Sequence, residues 1–304
     1  MGTSMQPQFG WVPPDLRDAE TNAAVEQLVA SLPPFFVVGS TDSTAGKRCV
    51  LWDYTKKING GEHLPTYRQE VGDCVSQGAA NAVNYLSAME IVRLQDRERW
   101  RPAFQPYIYG ISRVQIGGGR IGGDGSVGAW AAEGVKRFGV LFADDEGVPK
   151  YSGDVARRWG NRPGPPAHFI ERGKSHPVKS TALVTTYEEV REAICNGYPV
   201  TVASNQGFQM RPRLDQGKAW GVPSGSWAHQ MCFIGVDDQG QRPGCYCLNS
   251  WGADAHGSPA GDEPPGGFWV DAEIVNRMVR QRDSFAFSQF DGFPEQRLDF
   301  MLIG

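Results

Sequence analysis

No stretch of the 304 residues approaches the roughly eighteen uninterrupted apolar side chains that a membrane-spanning helix needs. A transmembrane segment is therefore not expected. Charge of one sign is missing too: 30 basic against 34 acidic side chains leave a net charge of -4, with no long Lys/Arg run. Nucleic acid and anionic membrane surfaces are set aside as partners. Cysteine is sparse, only six residues, too few for the disulfide framework of a small secreted domain. Reduced thiols are the expectation for Cys49, Cys74, Cys195, Cys232, Cys245 and Cys247. Cys245 and Cys247 form a Cys-x-Cys pair, but a zinc site wants two further ligands at matching spacing, so neither metal nor cofactor is expected. The opening MGTSMQPQFGWVPPDLRD lacks the basic and apolar regions of a signal peptide, and Gln6 stands where N-myristoylation wants Ser or Thr. The expected location is cytoplasmic, or within an assembly.

What the chain has in quantity is 38 Gly, 21 Pro and 9 Trp, with 40% hydrophobic residues, a mixture that favours turns packed by aromatics over a helical bundle. Mixed α and β structure is expected, in one large two-lobed domain or two ordinary ones. Residues 1 to about 64 read as an irregular arm wrapping the body, with one helix over Asp18 to Leu32, where Ala23, Val25, Leu28, Val29 and Leu32 fall near one face. Helical spacing of Val75, Ala79, Val83, Leu86, Met89 and Val92 then predicts a long central helix from Cys74 to about Trp100, with a charged end, QDRERW. A glycine-rich loop, QPYIYGISRVQIGGGRIGGDGS, leads to a second helix that ends at Gly139. Beyond a Pro-rich stretch from Gly147 to Pro166, YEEVREAIC predicts a helix, and short strands follow at Pro199 to Ala203, QMCFIGVDD, GCYCLNSW and GGFWV. The first half is thus helical and the second β-rich, with the lobe boundary near Pro163 to Phe169.

Gly117 to Gly122 satisfy Gly-x-Gly-x-x-Gly, yet more glycine follows before any helix, and no strand-helix alternation surrounds them. Dinucleotide binding is set aside, and the glycines read instead as letting a backbone pass close to something bound in a cleft. Cys74 opens the central helix, where the dipole and free N–H groups favour thiolate. His229 precedes an apolar strand, and the following strand runs into Asn249-Ser250-Trp251-Gly252. If the two strands pair antiparallel, His229 and Asn249 become neighbours. A thiol nucleophile, an imidazole to take its proton and an amide oxygen to hold the other ring N–H form one chemical unit, which Trp251 would shield from water.

The order Cys74, His229, Asn249, with the tetrapeptide Asn-Ser-Trp-Gly, resembles papain-like cysteine peptidases. GGDGSVGAWAAEGVKRFGVL is similar to the family's cleft loop and following helix, YEEVREAICNGYPVTVASNQGF to the unit before the histidine, and GGFWV to the strand after the asparagine. The resemblance covers roughly residues 64 to 279. It implies an α+β papain-like fold with a helical left lobe over about 65–165 and an antiparallel, β-barrel-like right lobe over about 166–304. The active site would lie between the lobes, with Gly125 and Ser126 binding an extended peptide or protein substrate. Two departures stand out. Val75 occupies a position the family gives to an aromatic residue, and Gln69, the candidate oxyanion-hole donor, lies five positions before the cysteine instead of six, where Arg68 stands.

Asp73 would raise the neighbouring thiol's pKa unless turned away to cap the helix, and capping is expected. His256, in the loop after the tetrapeptide, is read as facing solvent. The arm is expected to be retained and packed across the lobes, not removed as a propeptide. Hydrolysis of peptide bonds through a thioester acyl-enzyme is the first functional expectation. Two others are a catalytically weak papain-like module inside a larger assembly, and a related thiol amidase or acyltransferase.

Overall fold

In the computed structural model of the chain, residues 7–39, 44–94 and 99–296 are described; the expectations for Gln6 and for the charged end of the central helix at 95–98 lie outside them. Among the described residues no helix is long and apolar enough to cross a membrane. The helices are α1 (Ala19–Ser31), α2 (Trp52–Ile58), α3 (Cys74–Leu94), α4 (Gln105–Gly110), α5 (Gly128–Arg137), α6 (Gly153–Gly160), α7 (Ala167–Gly173), α8 (Tyr187–Cys195) and α9 (Ala272–Val279). The strands are β1 (Arg48–Val50), β2 (Ser180–Leu183), β3 (Val200–Phe208), β4 (Arg213–Asp215), β5 (Lys218–Trp220), β6 (Pro223–Asp237), β7 (Gly244–Leu248), β8 (Gly267–Asp271) and β9 (Phe285–Ser288).

Local chemistry explains the predicted elements. Asp18 caps α1 by accepting the Thr21 N–H, and Thr186 with Glu189 closes a capping box on α8. Helix α3 is buried on nearly every side, from Val75 through Ala79, Ala82, Leu86 and Met89, because its small residues let other elements approach all round it. Gly139 adopts φ +68°, the left-handed turn that ends the segment after α5.

Strand β6 organises the sheet. One edge pairs with β3 along Pro223 to Phe233 and with β1 along Gly235 to Asp237, while the other pairs with β7. Among the described residues the strand order is β2-β9-β3-β6-β7-β8-β5-β4, with β1 beside β6 off this path, and the pairs are antiparallel except β5–β8. The fold is mixed helix and sheet, helical first and β-rich afterwards, as expected.

Several expectations need correction. The arm is less irregular than expected: it contains β1 and a second helix, α2, whose buried Trp52 packs against Tyr246 and Trp269. The start of the glycine-rich stretch is helical: α4 continues into a π-helical turn over Ile111–Ile116. The Pro-rich stretch holds α6, capped by Ser152. Cys49 and Cys195 are not reduced thiols but a disulfide, joining β1 to the end of α8. Sparse cysteine argues against a disulfide framework, not against one bond between a strand and the helix packed beside it.

Candidate active site

Cys74 begins α3, completely buried, and its Sγ accepts a hydrogen bond from the backbone N–H of Gln230 at 3.4 Å. That contact ties the head of the helix to the strand carrying His229. The β6–β7 register, Cys232 opposite Leu248, brings the start of one strand's inner half beside the end of the other. His229 Nε2 thereby reaches Asn249 Oδ1 at 2.8 Å. The backbone N–H of Ser250 donates to the same oxygen at 2.7 Å, which fixes the amide's orientation and makes Nε2 the protonated ring nitrogen. His229 Nδ1 is buried and has no hydrogen-bond partner among the described residues. Trp251 lies 4.6 Å from the imidazole, ring centre to ring centre, and covers it. His229 itself sits inside β6, opposite Ser204, not at a strand start, because the strand begins six residues earlier at Pro223.

Gln69 enters from the loop before α3. Its Oε1 accepts from Ser250 Oγ at 2.6 Å, while its Nε2 donates to the carbonyls of Val71 at 2.9 Å and Gln8 at 3.2 Å. Trp251 Nε1 donates to the same Gln8 carbonyl at 3.1 Å. Two N–H groups thus converge on one carbonyl oxygen. It belongs to the chain's own N-terminal arm.

Residues Gln8 to Val12 lie in the cleft, beyond the wrapping role expected of the arm. Gly10 and Trp11 donate their N–H groups to the Ala228 carbonyl at 3.2 and 3.1 Å, and both N–H groups also face the Cys74 sulfur. Ser126 donates to the Gly10 carbonyl at 2.8 Å and accepts from the Val12 N–H at 2.9 Å. Phe9 meets His229 and Trp251 edge to face. Gly10 has no room for a side chain, since a Cβ there would stand 1.9 Å from the Gly72 carbonyl oxygen. Gly125 does not hydrogen-bond the arm: its N–H goes to the Tyr109 hydroxyl and its carbonyl to Arg113. With φ +117° and Val12 packed against it, its contribution is space.

The loop that presents Ser126 is held from within by a buried guanidinium. Arg113, on the π-helical turn, donates to the carbonyls of Ile121, Gly123, Gly125 and Gly160. Asp283 secures the Trp11 part of this segment. Its carboxylate accepts from Trp11 Nε1 at 2.6 Å and from the N–H groups of Gly128 and Ala129 at the head of α5.

Covered in this way, the thiol and the imidazole are both held neutral. Burial pushes the Cys74 thiol up to about 12, with the Asp73 charge adding to the rise and the N–H groups of Gln230, Gly10 and Trp11 opposing it. Burial likewise pulls the His229 imidazole down to about 4, against the upward effect of its bond to Asn249. The thiolate expected from the helix terminus is outweighed by loss of water. Asp73 also differs from expectation. Its Oδ2 accepts from Gln77 Nε2 at 2.8 Å and the Tyr151 hydroxyl at 3.1 Å, so it binds side chains where capping of backbone N–H groups was expected.

His256 is buried, not solvent-facing: its Nε2 accepts from Asn249 Nδ2 at 2.9 Å and its Nδ1 faces the Met210 carbonyl at 2.9 Å. Sequence reasoning missed it because the surrounding loop, rich in Gly, Pro and Asp, carries the composition of an exposed turn. Phe9 to Val12 carried no signal beyond a glycine between two aromatics. Among the described residues no group of His, Cys, Asp and Glu is arranged to hold a metal ion.

No family model matches the sequence, and no curated protein does. Solved structures do. Xylellain, a cysteine protease from Xylella fastidiosa, superposes with TM-score 0.61 at 14% identity, over 94% of this chain and 99% of that one. Digestive procathepsin L 3 of the Tenebrio molitor larval midgut gives 0.55 at 13%, over 87% and 79%. Bromelain protease from Ananas comosus, in complex with the E64 inhibitor, gives 0.52 at 14%, over 79% and 98%. The shared property is the chain's backbone architecture, one that cysteine proteases adopt.

Proposed function

From a papain-like fold, we propose that this chain is a cysteine peptidase that rests with its N-terminal arm in the substrate cleft. The observation that carries the reading is the joint placement of Cys74, His229 and Asn249, with His229 Nδ1 bare and Nε2 held by Asn249. Once the arm moves and water returns, the Cys74 proton passes to His229 Nδ1, and the sulfur attacks a peptide carbonyl. The developing oxyanion is met by the Cys74 N–H and by Gln69 Nε2, a reading supported by the bond that Gln69 Nε2 donates to the Gln8 carbonyl. His229 then protonates the leaving amine, and a water activated by the same ring hydrolyses the thioester. Gly125 and Ser126 serve an extended substrate as they serve the arm, one by its absent side chain and the other by its N–H and carbonyl. The division into an arm to residue 64 and a two-lobed body is part of the same proposal.

An epoxide-type thiol inhibitor, followed by peptide mapping, tests it. Full-length protein should be modified at Cys74 and should hydrolyse members of a peptide library, and Cys74→Ala should abolish both. Modification at Cys232, Cys245 or Cys247 instead would refute the assignment.

The filled cleft and the neutral Cys74 and His229 favour a second reading, a papain-like module without catalysis. Failure of Cys74 to react even when the arm is removed would select it.

A further inference from the structure

We infer that His256 is a positioning residue for the proposed thiol chemistry, holding the Asn249 amide so that His229 presents an unprotonated Nδ1. The inference rests on the peptidase reading for its consequence but on hydrogen-bond logic for its content. A backbone N–H can only donate, so the Asn249 atom that receives the Ser250 N–H at 2.7 Å is the oxygen. The other end of the amide is then the NH2 group, and it points at His256 Nε2 at 2.9 Å. That nitrogen must accept, so the proton of His256 is on Nδ1, where the Met210 carbonyl takes it at 2.9 Å. The series Met210 carbonyl, His256, Asn249, His229 is thus pinned by two backbone groups whose roles cannot invert, the Met210 carbonyl at one end and the Ser250 N–H on the Asn249 oxygen.

Its surroundings make the role specific. His256, Asn249 and His229 are 4%, 0% and 1% exposed, and Trp227, Trp251 and Phe268 pack around the His256 ring. Water cannot substitute for the imidazole in such a cage. Without an acceptor at Nε2, one amide N–H of Asn249 is left buried and unpaired, and rotation of the amide to relieve it would turn the NH2 group toward His229. The histidine would then have to accept at Nε2, place its proton on Nδ1, and lose the nitrogen that receives the Cys74 proton.

Two variants of the full chain separate positioning from packing. His256→Gln retains an oxygen to accept from Asn249 and an NH2 to donate to Met210, whereas His256→Phe fills the space without either. The second-order rate of Cys74 alkylation by iodoacetamide should fall about tenfold or more in His256→Phe and stay within about threefold in His256→Gln, the range met when a partner of a reactive group's ligand is lost. Ring 15N shifts should report His229 protonated on Nε2 in the unsubstituted chain and a tautomer mixture in His256→Phe. Equal rates in the Phe variant and the parent, or an equal fall in both variants, would overturn the inference. Should His256→Phe not fold, the parent's spectrum decides: a His256 protonated on Nε2 refutes the inference. Should the parent's Cys74 never react, the peptidase reading falls, while the His229 and His256 tautomers still score the hydrogen-bond order.

Discussion

Asp73 is the most consequential single residue outside the Cys, His and Asn positions. Burial lifts its carboxyl to about 7, against hydrogen bonds from Gln77 and Tyr151, and Asp124 adds to the lift; among the described residues Oδ1 has no hydrogen-bond partner. The unfolded chain releases this proton near 3.8, whereas the folded chain keeps it to about 7. The folded state therefore binds more protons between those values, and stability is lost as pH rises through that window. Asp73→Asn removes the loss. Urea unfolding at pH 4 and pH 8 should show the variant gaining on the parent by about 3 kcal/mol across the window. A difference independent of pH would mean that Asp73 does not titrate there. The same substitution removes a negative charge beside Cys74, so thiol modification at pH 8 should be faster in the variant.

At the scale of elements, the site depends on how closely α3 crosses β6. Gly78, one turn into the helix, faces Gln230 and Met231: a Cβ there would stand 3.0 Å from the Met231 carbonyl oxygen and 3.1 Å from Gln230 Cγ. A larger residue must push the helix away from the strand that carries His229. Gly78→Val should cost about 1–3 kcal/mol by overpacking and slow Cys74 alkylation, both measurable on one purified sample. Unchanged alkylation with lowered stability would show that the crossing tolerates a shift without disturbing the pair. Val75 is explained at this scale too. It is fully buried against the core, so the position after the cysteine is here a packing position.

For the whole molecule, the decisive relation is between the arm and the cleft. Segment 8–12 is held by Ser126 and Ala228 on the cleft walls, Gln69 and Trp251 at its start, and Asp283 beneath Trp11. Deleting residues 1–13 should accelerate Cys74 alkylation about tenfold or more, because desolvation is the leading cause of the raised thiol pKa. Gly10→Val in the full chain should act in the same direction, since its side chain has no place beside Gly72. Mass spectrometry of the labelled Cys74 peptide checks both. A rate that ignores both changes would mean that the arm does not restrain the thiol.

Sequence alone marked several of the elements and singled out Cys74, His229 and Asn249 as candidates. Helical period and capping residues are local signals, legible at α1, α3, α5 and α8, and the His229–Asn249 pairing follows from two consecutive strands joined by a turn. The resemblance to a known family supplied Gln69, Gly125 and Ser126, which no local pattern marks. Tertiary structure decided the rest. Gln8 meets Gln69 across 61 positions, and Trp11 meets Asp283 across 272. Arg113 clamps its loop through backbone carbonyls, which every residue type possesses, so no side-chain pattern announces the contact. The Cys49–Cys195 bond and the burial of His256 belong to the same class. In each case the partner is chosen by where the chain returns in space, and composition over a short window carries no record of that return. Whether a thiol at a helix terminus is charged or neutral is likewise set by what covers it, and here the cover is the chain's own beginning.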